Sequence, residues 1–152
     1  MPFINDRAKE RDKTMKKEDC IFCKIANGEI PSATIFEDRD FRVMLDIGPA
    51  TRGHVLILTK EHYDNIFEID AETAGKLFSL ASVIARAMKK VLNCDGMNVL
   101  QNNGTIAGQT VFHFHLHLIP RYEGDQVQVT WPQGSITEEE KEELVRSIKK
   151  EI

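Results

Sequence analysis

The chain has 152 residues, 41% of them hydrophobic and 29% charged, enough for a sizeable core and too few for two comfortable domains. Its formal net charge of −4 reflects 24 acidic and 20 basic residues. The basic ones are scattered rather than gathered into a stripe, which argues against nucleic-acid binding by phosphate neutralisation. An anionic ligand would have to be held locally, by backbone N–H groups and a few polar side chains.

Residues 1–18 are polar, mixed in charge and without period, and read as a mobile arm. They lack the apolar middle of a signal peptide, and no stretch of the chain reaches the roughly 18 apolar residues of a membrane span. Cysteine occurs at Cys20, Cys23 and Cys94, an odd and sparse set that argues against a disulfide framework and for a cytoplasmic setting.

The domain is expected over 19–152. Ile21, Phe22, Ile25 and Ala26, followed by Gly28, predict a short helix over 20–27. Thr34 to Phe36 and Phe41 to Ile47 read as strands joined by a polar turn. A Gly- and Pro-bearing loop, Gly48 to Gly53, leads into a strand over His54 to Thr59. Asp70 is a good N-cap for a long helix whose stripe is Ala74, Leu77, Phe78, Ala81, Ile84, Ala85, Met88 and Val91. Met97 to Gln101 and Val111 to Ile119 predict two more strands around a polar loop, Asn102 to Gly108. Thr137 and Glu140 form a capping box opening a final helix over 138–151, with Leu144, Val145 and Ile148 expected inward. Strands joined by short turns with one long helix imply an α+β fold on a mainly antiparallel sheet.

The chemistry concentrates in Val111–Arg121. On a strand, side chains alternate faces, so Phe112, Phe114, Leu116 and Leu118 fall on one side and His113, His115 and His117 on the other. Imidazoles two apart on a strand are separated by roughly 6.6 Å and those four apart by roughly 13 Å, which disfavours one metal ion held by all three. The preceding loop carries Asn102, Gly104, Gly108, Gln109 and Thr110. Its glycines let backbone approach a ligand, and consecutive N–H groups can cradle an anion. No Walker-type loop is present. Cys20 and Cys23 form a zinc half-site without a second Cys-x-x-Cys. Taken alone, these two cysteines also suit a buried helix face, Asp46 a turn before Gly48-Pro49, and His54 a satisfied core position.

The stretch Gly108-Gln109-Thr110-Val111-Phe112-His113-Phe114-His115-Leu116-His117-Leu118-Ile119-Pro120-Arg121 resembles the signature of the histidine triad (HIT) superfamily. Cys20-Ile21-Phe22-Cys23-Lys24-Ile25, Ile30-Pro31-Ser32-Ala33, Asp46-Ile47, Gly53-His54 and Lys60-Glu61-His62 are similar to landmarks of its Hint branch, in the cysteine-bearing bacterial and archaeal form. The resemblance implies a five-stranded antiparallel sheet with one long helix and a short N-terminal one, extended across a two-fold homodimer. It implies His115 as nucleophile, with His117, Thr110 and Gln109 contacting the phosphate or leaving group. Asn102 would bond the phosphate region and Asp46 the ribose. Ile21, Phe22, Ile25 and Ile47 would line the base pocket, with His54 supporting the site. Structural zinc would be held by Cys20, Cys23, His62 and His113.

The implied activity is hydrolysis of nucleoside 5′-phosphoramidates or related purine nucleotidyl compounds through a nucleotidyl-histidine intermediate. Thr110, where many Hint proteins have serine, keeps dinucleoside polyphosphate hydrolysis as an alternative. A nucleotide-binding regulatory protein with negligible turnover is another. His117, in place of glutamine, favours hydrolysis over transfer to a sugar phosphate.

Overall fold

A computed structural model describes residues 17–152. The arm expected over 1–18 lies outside the described residues except for Lys17 and Glu18. Helix α1 spans Ile21–Ala26, with Cys20 as N-cap. Strands β1 (Thr34–Glu37) and β2 (Phe41–Leu45) form a hairpin. Its turn is closed by Asp38, whose Oδ1 accepts the N–H groups of Asp40 at 2.8 Å and Phe41 at 2.7 Å. β2 stops two residues short of the expected run, because Asp46 turns its carboxylate onto the Gly48 N–H at 2.8 Å and starts the loop.

Strand β3 (Val55–Thr59) is buried throughout, β4 covers Gly96–Leu100 and β5 covers His115–Arg121. The sheet order is β1-β2-β3-β5-β4, with every neighbouring pair antiparallel. The expected strand over Val111–Ile119 is therefore displaced towards the C-terminus. The last β3–β5 pair is Leu58 with His115, and β3 ends one residue later. Residues 111–114 have no strand to bond, and Phe114 N–H donates instead to the Tyr63 carbonyl at 2.6 Å. At the other end, pairing with β4 extends β5 to Arg121. Phe112, expected on the core face, is exposed as a consequence.

Helix α2 (Ala71–Leu92) begins where Asp70 accepts the Thr73 N–H at 2.8 Å and ends at Asn93 in the left-handed region. Its buried ridge is Leu77, Ala81, Ile84 and Met88. Phe78 and Val91, included in the expected stripe, are exposed, since a helix lying on a sheet buries one ridge and leaves flanking positions outside. That ridge packs on Phe41, Val43, Val55, Ile57, Leu116 and Leu118. The opposite sheet face carries Met44, Leu56 and Leu58, covered by Ala26, Phe22 and Ile25 of α1.

The capping box opens helix α3 (Glu138–Glu151) at the expected place. Leu144, Val145 and Ile148 do not point inward: they are 50%, 51% and 59% exposed. Both sheet faces already carry apolar cover from α1 and α2, and no α3 side chain joins either core cluster among the described residues. None of the described helices is long and apolar enough to cross a membrane.

Candidate active site and metal centre

Register assembles the site. His117 pairs with Leu56 and His115 with Leu58, so both imidazoles share the face of α1 while Leu116 and Leu118 face α2. Asp46 N–H donates to the His54 carbonyl at 2.9 Å, just beyond the β2–β3 ladder. The parity that puts Met44 and Leu56 on the α1 face puts Asp46 and His54 there too. These four polar side chains thus come from three neighbouring strands and their ends.

His115 is 6% exposed. Its Nδ1–H donates to the His113 carbonyl at 2.6 Å, which leaves the Nε2 lone pair uncommitted. Phe22 meets the ring edge-on at a centroid distance of 5.0 Å, and the His117 ring lies at 4.9 Å. His54 Nε2 and His117 Nδ1 share a hydrogen bond of 2.9 Å, with Asp46 Oδ2 at 3.7 Å from the same His54 nitrogen. Burial lowers the pKa of His115, partly offset by its bond to the His113 carbonyl. Burial and the neighbouring His115 and His54 rings push His117 down to about 4. Burial lowers His54 as well, against the pull of Asp46. At neutral pH the three rings are neutral.

The loop before β5 is braced by Gln109. Its Oε1 accepts the Gly104 N–H at 2.7 Å, and its Nε2 donates to the Asp64 carbonyl at 2.6 Å and the Val111 carbonyl at 3.2 Å. The buried side chain is committed within the protein and offers no free polar atom to a ligand. Gly108 has φ +91°, a conformation that suits glycine, and the Asn102 amide donates to its carbonyl at 3.4 Å. Thr110 is exposed and shares a shallow depression with Ile21 and Cys20. Phe22 and Ile25 pack on the cluster of Ala26, Met44, Leu56 and Leu58. Ile47 is 99% exposed, so within this chain it lines no enclosed pocket.

The second constellation adjoins the first. Cys20, Cys23, His62 and His113 bring one donor atom each within 4.8 Å of one another. Cys20 Sγ lies 3.4 Å from His113 Nδ1, while Cys23 Sγ lies 3.4 Å from the same atom and 3.2 Å from His62 Nδ1. Four ligands around one tetrahedral ion sit about 3.3–3.8 Å apart, close to these separations. The far ring nitrogens are held by acceptors: His62 Nε2–H donates to Asp64 Oδ1 at 2.7 Å and His113 Nε2–H to the Thr59 carbonyl at 2.8 Å. Both Nδ1 lone pairs are thereby turned towards the sulfurs. Burial also brings His113 down to about 4, which favours the neutral ligand form. The residues fit a metal ion by donor type, spacing and supporting bonds.

Three supporting groups escaped the sequence reading: the Ala50 N–H on His54 Nδ1 at 3.0 Å, the Thr59 carbonyl and Asp64. Only Asp64 left a trace, as the acid of a His62-x-Asp64 pair. Backbone groups carry no residue signature.

A neutral imidazole with a free lone pair, buried beside a second imidazole and braced by a metal-type Cys/His cluster, defines a histidine-based site on an antiparallel sheet. Residues 27–124 match the HIT domain, and the chain belongs to that family. It is 46% identical to "Protein hit" of Bacillus subtilis over 115 residues, 75% of this chain and 79% of that protein. It is 37% identical to adenosine 5′-monophosphoramidase hnt1 of Schizosaccharomyces pombe over 134 residues, 88% of this chain and 98% of that one. The crystal structure of SMU.412c from Streptococcus mutans superposes with a TM-score of 0.85 at 42% identity, covering 89% of this chain and 86% of that one. A Zn-bound histidine triad family protein from Mycobacterium smegmatis does so at 0.69 and 38%, covering 85% and 91%.

Proposed function

We propose that the protein hydrolyses nucleoside 5′-phosphoramidates or related purine nucleotidyl compounds through a covalent nucleotidyl-histidine. The observation that carries this reading is the His115 tautomer: Nδ1–H is tied to the His113 carbonyl at 2.6 Å, leaving Nε2 as a buried nucleophile. The similarity to a monophosphoramidase from Schizosaccharomyces pombe over most of both chains supports the substrate class.

In the first step the Nε2 lone pair bonds to the α-phosphorus, and the bond from phosphorus to the leaving group breaks with its electron pair on that group. The positive charge developing on the ring is met by the His113 carbonyl and by Asp46, which acts favourably on the protonated His115. In the second step water attacks phosphorus and loses a proton to solvent, and the N–P bond breaks with its electron pair on Nε2, releasing the nucleoside monophosphate. His117 would contact the phosphoryl group, with Thr110 and Asn102 at the loop. Asp46 would hold the ribose, and Ile21, Phe22 and Ile25 the base. Ile47 joins them only where a ligand or partner covers it, and Gln109 acts through the loop it braces.

Cys20, Cys23, His62 and His113 would hold zinc, a reading that the Zn-bound relative from Mycobacterium smegmatis supports. Held by four side chains, the ion would supply folding energy by pinning α1 to the segment before β5. The reading extends to a cytoplasmic homodimer, for which the sheet edges β1 and β4 are available.

Intact-mass analysis of rapidly quenched mixtures with adenosine phosphoramidate, beside turnover of diadenosine polyphosphates, tests the assignment. An adenylyl adduct on the wild type that is absent from His115→Ala, with turnover reduced at least about 10³-fold, is the expected result. AMP binding with neither adduct nor turnover would make the protein a nucleotide-binding regulator. Preference for diadenosine polyphosphates would move it to the alternative branch.

A further inference from the structure

His113 belongs to both constellations. Its Nδ1 lies 3.4 Å from each cysteine sulfur of the cluster, and its carbonyl receives the His115 Nδ1–H at 2.6 Å. Residues 111–114 have no strand to bond, so no ladder holds that carbonyl in place. It is held by the bonds of the His113 side chain, to the cluster and to the Thr59 carbonyl at 2.8 Å, and by the Phe114 N–H on the Tyr63 carbonyl. Phe22, between the two cysteines in sequence, meets the His113 and His115 rings edge-on at centroid distances of 6.1 Å and 5.0 Å. A rearrangement of the two sulfurs therefore reaches the nucleophile by two routes, the backbone of His113 and the ring of Phe22.

The two sulfurs are placed to react with each other. Cys20 caps α1 and Cys23 lies three residues on, a separation of about 5 Å between Cα atoms on a helical turn. That is inside the span of about 4.4–6.8 Å that a disulfide bridges. Cys23 N–H already donates to Cys20 Sγ at 3.4 Å, and the sulfurs lie among donor atoms within 4.8 Å of one another. Access to them is unequal. Cys20 is half-buried and lines the depression shared with Thr110 and Phe112, whereas Cys23 is fully buried. A small oxidant meets Cys20 first, with Cys23 behind it. A sulfur that ligates a metal does so as thiolate, the form that peroxides oxidise. Cys94 is buried and lies outside the cluster.

We propose that Cys20 is a site of reversible oxidation by hydrogen peroxide, resolved by Cys23, and that the disulfide so formed releases the metal ion and unsettles His115 through His113. The Cys20 thiolate attacks a peroxide oxygen, the O–O bond breaks with its pair on the departing hydroxide, and a sulfenic acid forms. The Cys23 thiolate then attacks that sulfur; the S–S bond forms and the S–O bond breaks with its pair on a second hydroxide. The thiolates together lose two electrons, and one peroxide is reduced to two hydroxides. Half the donors of the ion are then gone, leaving His62 and His113. His113 loses its hold on the cluster, and the carbonyl that orients His115 loses an anchor. Exchange with a dithiol and resupplied metal reverse the change. The effect on turnover rests on the zinc and nucleophile readings above; the disulfide rests on the sulfurs alone.

Treating the zinc-loaded protein with hydrogen peroxide beside a chromophoric chelator tests this. Zinc should pass to the chelator as peptide mapping shows Cys20 joined to Cys23, with Cys94 still alkylated as a thiol once the chain is unfolded. Amide hydrogens over 111–115 should lose protection from exchange, and turnover of adenosine phosphoramidate should fall by about 10–100-fold. Dithiothreitol with added zinc should restore all of these. Cys20→His keeps a metal ligand and has no sulfur to oxidise; whatever its starting activity, it should keep that activity and its zinc under the same treatment. A wild type that takes up no zinc, retains it under peroxide, or releases it without the Cys20–Cys23 disulfide overturns the proposal. Release with unchanged exchange and turnover overturns the link to His115. Equal sensitivity of Cys20→His places the oxidation elsewhere and overturns it too. Absence of wild-type turnover would sink the hydrolase reading, while zinc release, mapping and exchange still decide this one. Should Cys20→His fail to fold, the wild-type measurements suffice.

Discussion

His117 shows how a buried imidazole ties pH to stability. Its pKa in the folded protein is about 4, against about 6.5 for histidine in an unfolded chain. Between those values the unfolded state binds a proton that the folded state refuses, so stability falls as pH drops from about 6.5 towards about 4. The shift on His54 has the same direction. In urea denaturation at pH 7 and pH 5, the wild type should lose more stability than His117→Gln, which has nothing to titrate there; equal losses would contradict the assignment. Asp64 acts at the same scale. It orients His62 through a 2.7 Å bond, and losing such a support weakens metal binding by about 10–100-fold. Competition with a chromophoric chelator should place Asp64→Ala in that range, whereas an unchanged affinity would mean that Asp64 does not hold His62 in its ligating orientation.

Elements set these side chains by where they stop. β2 ends at Leu45 and the loop returns to β3 through Gly53, at φ +88°. A Cβ there would come within 2.5 Å of Leu92 Cδ1 in the last turn of α2. Gly53→Ala therefore meets both an unfavourable backbone conformation and a clash, together costing about 1–3 kcal/mol. Because residue 53 immediately precedes His54, turnover should fall with stability; a variant as stable and active as the wild type would show that the turn relaxes freely. The end of β3 matters as much. Releasing residues 111–114 from the ladder lets His113 turn to Cys20, Cys23 and His62 while its carbonyl receives His115.

Across the whole molecule, the sheet divides two tasks between its faces. The α2 face is an apolar core, and the α1 face carries the histidines, Cys20, Cys23 and the carboxylate of Asp46. α3 belongs to neither, its apolar side chains half-exposed. Removing residues 135–152 should leave any metal binding by the proposed Cys/His centre unchanged and the thermal midpoint within about 2 °C at concentrations where the chain is monomeric. A larger drop would show that α3 supports the monomer, and a loss of dimer alone would assign its apolar face to a second copy.

Local periodicity determined much of this protein before any coordinates. Alternation in 115–118, the stripe of α2 and the capping box of α3 are properties of neighbours along the chain, and with them came an antiparallel α+β fold and the row of three histidines; the expected roles of Asp46, His54, His62 and the cysteine pair came from resemblance to the HIT family. Tertiary structure decided the rest. The start of β5 depended on where β3 runs out, and the exposure of Leu144, Val145 and Ile148 on α3 joining neither core cluster. The hydrogen bond between His117 and His54, and that of His54 with a backbone N–H at Ala50, depended on the folded register. Periodicity records which face a side chain takes; a proton's position is set by donors and acceptors that only the folded register brings together.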